Sequence, residues 1–242
     1  MKPVLLLIPG LMNTVQVFDG ARARLDPALD VRVANVQTQA SIGAMAHDAW
    51  ARVADVPAAQ PLVIAGFSMG GYVALQMLAE PQRAVQGLGL ICTSARADTA
   101  ESQALRERAI AAMERDFGRY VGSLGSFLVT PAGQADTTLM ATIRDHMLAV
   151  GAPTTIRQQR AAAAREDRRS MLATLHLAAH VIGASDDPVT PPDLSRELAV
   201  GIPGARLTVV EGVGHLLPYE RPAELATALS ELIARVANRG TA

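Results

Sequence analysis

Short apolar runs at 4–8, 31–36, 61–65, 87–92, 178–183 and 205–210 recur along the chain, separated for the most part by longer stretches of helical periodicity. Runs of this length, bounded by turn residues, read as strands, and their alternation with helical segments predicts a parallel α/β sheet. The runs are continuously apolar rather than alternating. Strands of a parallel sheet are covered on both faces by crossover helices, so neither face calls for polar side chains. The expected architecture is a doubly wound, mostly parallel sheet of about six strands. Trp50, in the amphipathic stretch at 45–53, is expected to anchor a helix to it.

Between 94 and 170 the alternation stops, and Ala, Arg, Glu and Met fall in helical patterns with no strong strand signal. This segment reads as a helical lid inserted at 94–170 into a core formed by 1–93 and 171–242. Its apolar residues Met113, Phe117, Tyr120, Phe127, Met140 and Met147 suit either helix packing or a pocket wall, and their helical spacing favours packing. Its basic residues, slightly in excess of its acids, describe mainly solvated helix faces. A clamp for a substrate carboxylate is the alternative.

Chemistry enters at Gly66-Phe67-Ser68-Met69-Gly70-Gly71, between the apolar run 61–65 and the helix-like stretch 72–79. This is the Gly-x-Ser-x-Gly pattern of a sharp strand-to-helix turn. A serine hydroxyl is a poor nucleophile unless a base takes its proton, and such a turn lifts it clear of the sheet toward one. The backbone is crowded there, which suits glycine at 66, 70 and 71. The same architecture asks for an acid and then a histidine after later strands. His215 closes Glu211-Gly212-Val213-Gly214-His215, directly after the apolar run 206–210. His47, His146, His176 and His180 follow no strand in the required place; His47 lies on a helix and His180 inside a strand.

Two aspartates compete for the acid in Ser185-Asp186-Asp187-Pro188-Val189-Thr190-Pro191-Pro192. Asp187 is preferred, because Asp-x-x-Thr-Pro leads an acid loop into a helix opened by Thr and Pro, and Asp186 is the reserve. A carboxylate there orients the imidazole and stabilises the imidazolium formed during attack. The developing oxyanion needs backbone N–H groups aimed at it. Met69 offers one. The turn after the first strand, Pro9-Gly10-Leu11-Met12-Asn13, offers the other at Leu11, since Pro9 has no N–H.

Ser68, Asp187 and His215 in this order, with the Asp-x-x-Thr-Pro and Gly-x-Gly-His loops, resemble the α/β-hydrolase superfamily over nearly the whole chain. The likeness is to small single-domain members of the carboxylesterase, enol-lactonase and meta-cleavage-product hydrolase groups. It implies a Ser-His-Asp triad, oxyanion N–H groups at Leu11 and Met69, and a lid that sets substrate choice. It also implies hydrolysis of a carboxylic ester, lactone or thioester of small to medium size through an acyl-enzyme on Ser68. Carbon–carbon bond hydrolysis, acyl transfer and perhydrolysis use the same triad and stay open, as does a ligand-binding receptor on the same scaffold. Three departures stand out. Pro9-Gly10 replaces the His-Gly of many relatives, removing a side chain that often braces the oxyanion loop. Residues 37–41 read Gln-Thr-Gln-Ala-Ser where relatives are Gly-rich. The chain begins almost directly with the first strand, so the antiparallel hairpin that opens many relatives is expected to be missing.

At 242 residues the chain supports one substantial core. A formal charge of −1 and a pI near 6.5 leave no electrostatic footprint for nucleic acid or an anionic membrane. The single cysteine, Cys92, cannot form an internal disulfide and is expected to pack in the strand at 87–92. No zinc pattern is present, and no metal or organic cofactor is implied. The first apolar run is too short for the core of a signal peptide, and no segment reaches about 18 apolar residues. The expectation is a cytoplasmic monomer or homodimer whose partner is a small-molecule acyl substrate.

Overall fold

A computed structural model describes residues 2–239 of the chain. Its strands are β1 (Val4–Ile8), β2 (Asp30–Val33), β3 (Leu62–Phe67), β4 (Gly87–Ile91), β5 (Ala178–Ala184) and β6 (Arg206–Val210). They form one sheet in the order β2-β1-β3-β4-β5-β6, and every pairing is parallel. The helices are α1 (Asp19–Arg22), α2 (Ile42–Ala51), α3 (Met69–Ala79), α4 (Ala100–Arg115), α5 (Phe117–Leu128), α6 (Pro131–Gln134), α7 (Thr137–Val150), α8 (Ala152–Ala163), α9 (Pro192–Gly201), α10 (Leu217–Glu220) and α11 (Pro222–Arg239).

The central strands carry the core. All five residues of β1 are fully buried, and they divide by the pleat: Val4, Leu6 and Ile8 join one apolar cluster, Leu5 and Leu7 the other. The first cluster takes in Met45 and Trp50 of α2, Val73 and Met77 of α3, and Leu198 of α9. The second takes in Ala21 of α1 and Leu225, Leu229 and Leu232 of α11. Removing each such large aliphatic side chain from water is worth about 1.5–3 kcal/mol, so the two-sided burial of the central strands dominates the sheet's stability.

The edge strands differ from the sequence expectation. β2 ends at Val33, three residues short of the apolar run, and begins with the exposed Asp30. β6 was expected to be buried, yet Arg206 and Leu207 are exposed and only Val210 is buried. Each pairs on one side only, so half of its flank lacks the neighbours that cover an inner strand. β4 also stops one residue early. Cys92 leaves the strand with φ +43°, although it is fully buried, as its apolar context suggests.

Helices α4 to α8 all lie between β4 and β5. Side-chain oxygens of Thr99, Asp116, Thr130 and Asp136 accept N–H groups in the first turns of α4, α5, α6 and α7. That capping lets a segment without strand signals break into short, well-terminated helices. β1 has β2 on one side and β3 on the other, so the connections leaving its neighbourhood diverge. A crevice opens at such a switch point, beyond the carboxyl ends of the strands.

Candidate active site

Ser68 stands in that crevice, between β3 and α3. Its backbone has φ +51° and ψ −116°, a region costly for a residue with a side chain, at about 1–3 kcal/mol. Neighbouring bonds hold it there. The Ser68 N–H donates to Ile91 O at 2.9 Å, while Ser68 O accepts from Gly71 N at 2.9 Å and from Thr93 Oγ1 at 2.7 Å. The flanking glycines answer to contact: a Cβ on Gly66 would strike the backbone of Gly70, and one on Gly70 would strike that of Ile8.

His215 Nε2 lies 2.9 Å from Ser68 Oγ, and His215 Nδ1 lies 2.8 Å from Asp187 Oδ2. Residues contributed after β3, β5 and β6 thus form one continuous chain of hydrogen bonds. The Asp187 carboxylate is almost wholly buried but fully engaged. Its Oδ1 accepts from the N–H groups of Val189 and Thr190, each at 2.8 Å, and its Oδ2 also accepts from Thr190 Oγ1 at 2.6 Å. Burial alone would push this carboxyl up, but the bonds from His215 and Thr190 outweigh it and hold the group below the usual carboxylate value. Asp186 is exposed and engages Ser185 Oγ instead, away from the imidazole. With Nδ1 donating to Asp187, the tautomer leaves Nε2 free to accept from the serine.

The turn after β1 is pinned from several sides. Gly10 O accepts from Asn13 N at 3.2 Å, so the N–H of Leu11, on the opposite edge of that peptide, points away from the turn. Met12 has φ +59°, and its N–H donates to Gln158 Oε1 at 3.0 Å. Gln158 is fully buried on α8 and donates from Nε2 to Val36 O at 2.9 Å. Asn13 Nδ2 donates to Leu11 O at 2.8 Å. Among the described residues, the N–H groups of Leu11 and Met69 have no acceptor within the protein, and both residues border the cavity that contains Ser68 and His215. Gln158 was not visible from sequence. It supplies a brace for the loop that carries Pro9.

Glu220 also escaped the sequence reading. Its buried carboxylate accepts from Gly214 N at 3.0 Å with one oxygen, and from Thr130 N at 3.2 Å and Thr130 Oγ1 at 2.9 Å with the other. It therefore ties the loop that presents His215 to the start of α6. Its place five residues after the histidine was the available signal. Cys92 is buried beside Asp187, and desolvation, reinforced by that negative charge, pushes its thiol well above its ordinary value.

The cavity over Ser68 has a volume of about 120 Å3, room for a compact substrate. Leu124, Leu128, Met147 and Leu216 supply apolar wall, and Arg106, Tyr120 and Gln159 supply polar wall. Of the apolar residues singled out in the inserted segment, Tyr120 and Met147 reach the cavity, Met113 is buried and Phe127 is exposed. The other histidines stand apart: His180 Nδ1 and Nε2 meet Ala228 O and Thr208 Oγ1, His146 meets Tyr219, and His47 and His176 are exposed. Among the described residues, no group of three His, Cys, Asp or Glu side chains could hold a metal ion, and no helix is long and apolar enough to cross a membrane.

The sequence profile of the alpha/beta hydrolase family matches residues 5–228. The chain belongs to the alpha/beta hydrolase family. A curated relative of this hydrolase is the pimeloyl-[acyl-carrier protein] methyl ester esterase of Neisseria meningitidis serogroup C, 29% identical over 185 residues that span 73% of this chain and 72% of that protein. In three dimensions the hydrolase is similar to a thermophilic esterase from Thermogutta terrifontis, with a TM-score of 0.84 at 24% identity, covering 98% of this chain and 91% of the other. The enol-lactonase from Burkholderia xenovorans LB400 gives a TM-score of 0.85 at 20% identity, covering 97% and 92%. These structural likenesses establish the fold.

Proposed function

We propose that this alpha/beta hydrolase cleaves carboxylic esters of small to medium acyl substrates through an acyl-enzyme on Ser68. The observation that carries the reading is the chain of bonds from Ser68 Oγ through His215 to the buried Asp187. His215 takes the serine proton as Oγ attacks the ester carbonyl, Asp187 holds the ring and stabilises the imidazolium, and the leaving alcohol departs with that proton. Water then repeats the cycle on the acyl-enzyme. The N–H groups of Leu11 and Met69 receive the oxyanion, a contribution of about 10²–10³ in turnover for one such donor.

Helices α4 to α8 act as the lid, since residues of α4, α5, α7 and α8 form much of the cavity wall over the serine. The likeness to a methyl ester esterase favours esters over the other acyl substrates open to the triad. The substrate partner is a small acyl compound, and no step calls for a metal or organic cofactor. A fluorophosphonate probe tests the reading directly. It should label the enzyme, and Ser68→Ala should abolish both labelling and p-nitrophenyl ester hydrolysis. Ester turnover that survives Ser68→Ala, or fast cleavage of vinylogous diketones with little ester turnover, would overturn it.

A further inference from the structure

Arg106, on α4, reaches the cavity that contains Ser68, and among the described residues it is the only side chain on that wall with a permanent charge. Among the described residues, no carboxylate lines this cavity. Behind the wall, Arg106 Nε donates to Asp98 Oδ2 at 2.5 Å, and the guanidinium of Arg165 contacts Asp98 Oδ1. The side chains of Arg106, Arg165 and Asp98 are 20%, 9% and 2% exposed, so two guanidinium groups share one carboxylate out of water. The surplus is one positive charge. Nearby acids do not cancel it: Glu166 pairs with Arg168 at the surface, and Glu197 pairs with Arg96.

The hydrogen-bonding inventory of this wall has the same sense. Arg106 carries five N–H donors, and the protein engages only part of them: two nitrogens toward Asp98, and Nη1 toward Gln159 Oε1 at 2.6 Å. That last bond occupies the acceptor of Gln159 and leaves its amide NH2 to donate. Tyr120, on the same cavity wall, stays a neutral hydroxyl, since burial pushes its ionisation up. A cation with spare donors, beside two further donors, is complementary to a planar anion with two acceptor oxygens. Leu124, Leu128, Met147 and Leu216 offer apolar contact, and Asn13 and Tyr72 complete the polar part of the lining.

We infer that Arg106, with Gln159 and Tyr120, binds a carboxylate carried by the substrate, separated by a short apolar chain from the ester carbonyl at Ser68. Half-esters of short straight-chain dicarboxylic acids have this form. The inference rests on the serine hydrolase reading above and names its substrate class.

The test compares each monomethyl half-ester with the methyl alkanoate of equal chain length, as a ratio of kcat/KM within one preparation, which cancels differences in folded fraction. Wild type should favour the half-ester by roughly 10- to 100-fold, the worth of a hydrogen-bonded charge. Arg106→Gln leaves Asp98 paired one-to-one with Arg165 and should bring the ratio close to unity. Arg106→Lys, which keeps the charge without the fork, should fall between. Equal rates in wild type, a preference that survives Arg106→Gln, or an enzyme labelled at Ser68 that spares the half-ester would each overturn the carboxylate assignment. Failure of the underlying reading looks different: neither ester is turned over and Ser68 takes no fluorophosphonate label, and both proposals then fall together.

Discussion

Gln158→Leu is the substitution that most directly tests how the turn after β1 is held. Leucine is close in size to glutamine but can neither accept from Met12 N–H nor donate to Val36 O, the two bonds that Gln158 makes at 3.0 and 2.9 Å. Leaving a buried polar group unpaired costs about 1–3 kcal/mol, so a rigid loop would lose about 2–6 kcal/mol over the two groups. Met12 offers a way out. Its backbone sits at φ +59°, a conformation that stores about 1–3 kcal/mol, and rotating it away relieves strain while bringing its N–H to water. That rotation moves Leu11, the adjoining residue, off the proposed oxyanion position. The expected result is a stability loss near the lower end of the range, with kcat down by about 10²–10³, as for removal of one oxyanion donor. KM should change little, because the ground-state carbonyl gains little from the hole. The assay is kcat and KM on a p-nitrophenyl ester, normalised by active-site titration, beside the affinity for a trifluoromethyl ketone that forms a tetrahedral adduct. A merely structural role would lower the titrated active fraction and leave both normalised values intact. Wild-type kcat and wild-type ketone affinity in the folded variant would refute the reasoning.

Three further outcomes follow from the geometry. Asp187→Asn should lower kcat by about 10⁴ through the wrong imidazole tautomer, whereas Asp186→Asn, whose side chain engages only Ser185 Oγ, should stay within a few-fold of wild type; the reverse pattern in steady-state kinetics would exchange the two residues. Cys92, with its thiol pushed up by burial and by the charge of Asp187, should resist a disulfide-exchange reagent in the native protein and react only on unfolding, and fast native-state modification would contradict this. His180 is held below its ordinary value, chiefly by burial, so the unfolded chain takes up a proton at a higher pH than the native one. Stability should therefore be full above about pH 6.5 and decline as pH falls below it, read as a falling urea midpoint, and a midpoint that does not move across that window would count against the assignment.

Much of this protein is written in short stretches of sequence. The glycines around Ser68 answer to contacts within a few residues or with the adjoining strand, and the central strands announce themselves because both of their faces are buried. Edge strands were less legible. β6 has the same apolar run as an inner strand, and only its position beyond β5 exposes Arg206 and Leu207. The choice between Asp186 and Asp187 is likewise a matter of direction, since neighbouring residues in a loop point different ways and only one meets the imidazole.

The sequence by itself determined the strand–helix alternation, the serine turn and the order in which serine, acid and histidine candidates occur, because those properties depend on local sterics and hydrophobic periodicity. Tertiary structure alone decided what surrounds them: Gln158 under Met12, Glu220 between Gly214 and Thr130, and the shared carboxylate of Asp98 between Arg106 and Arg165. Polar side chains on a helix carry no periodic signature of their targets. Their partners are chosen when packing excludes water and leaves each buried donor or acceptor only the groups that the fold has brought within reach.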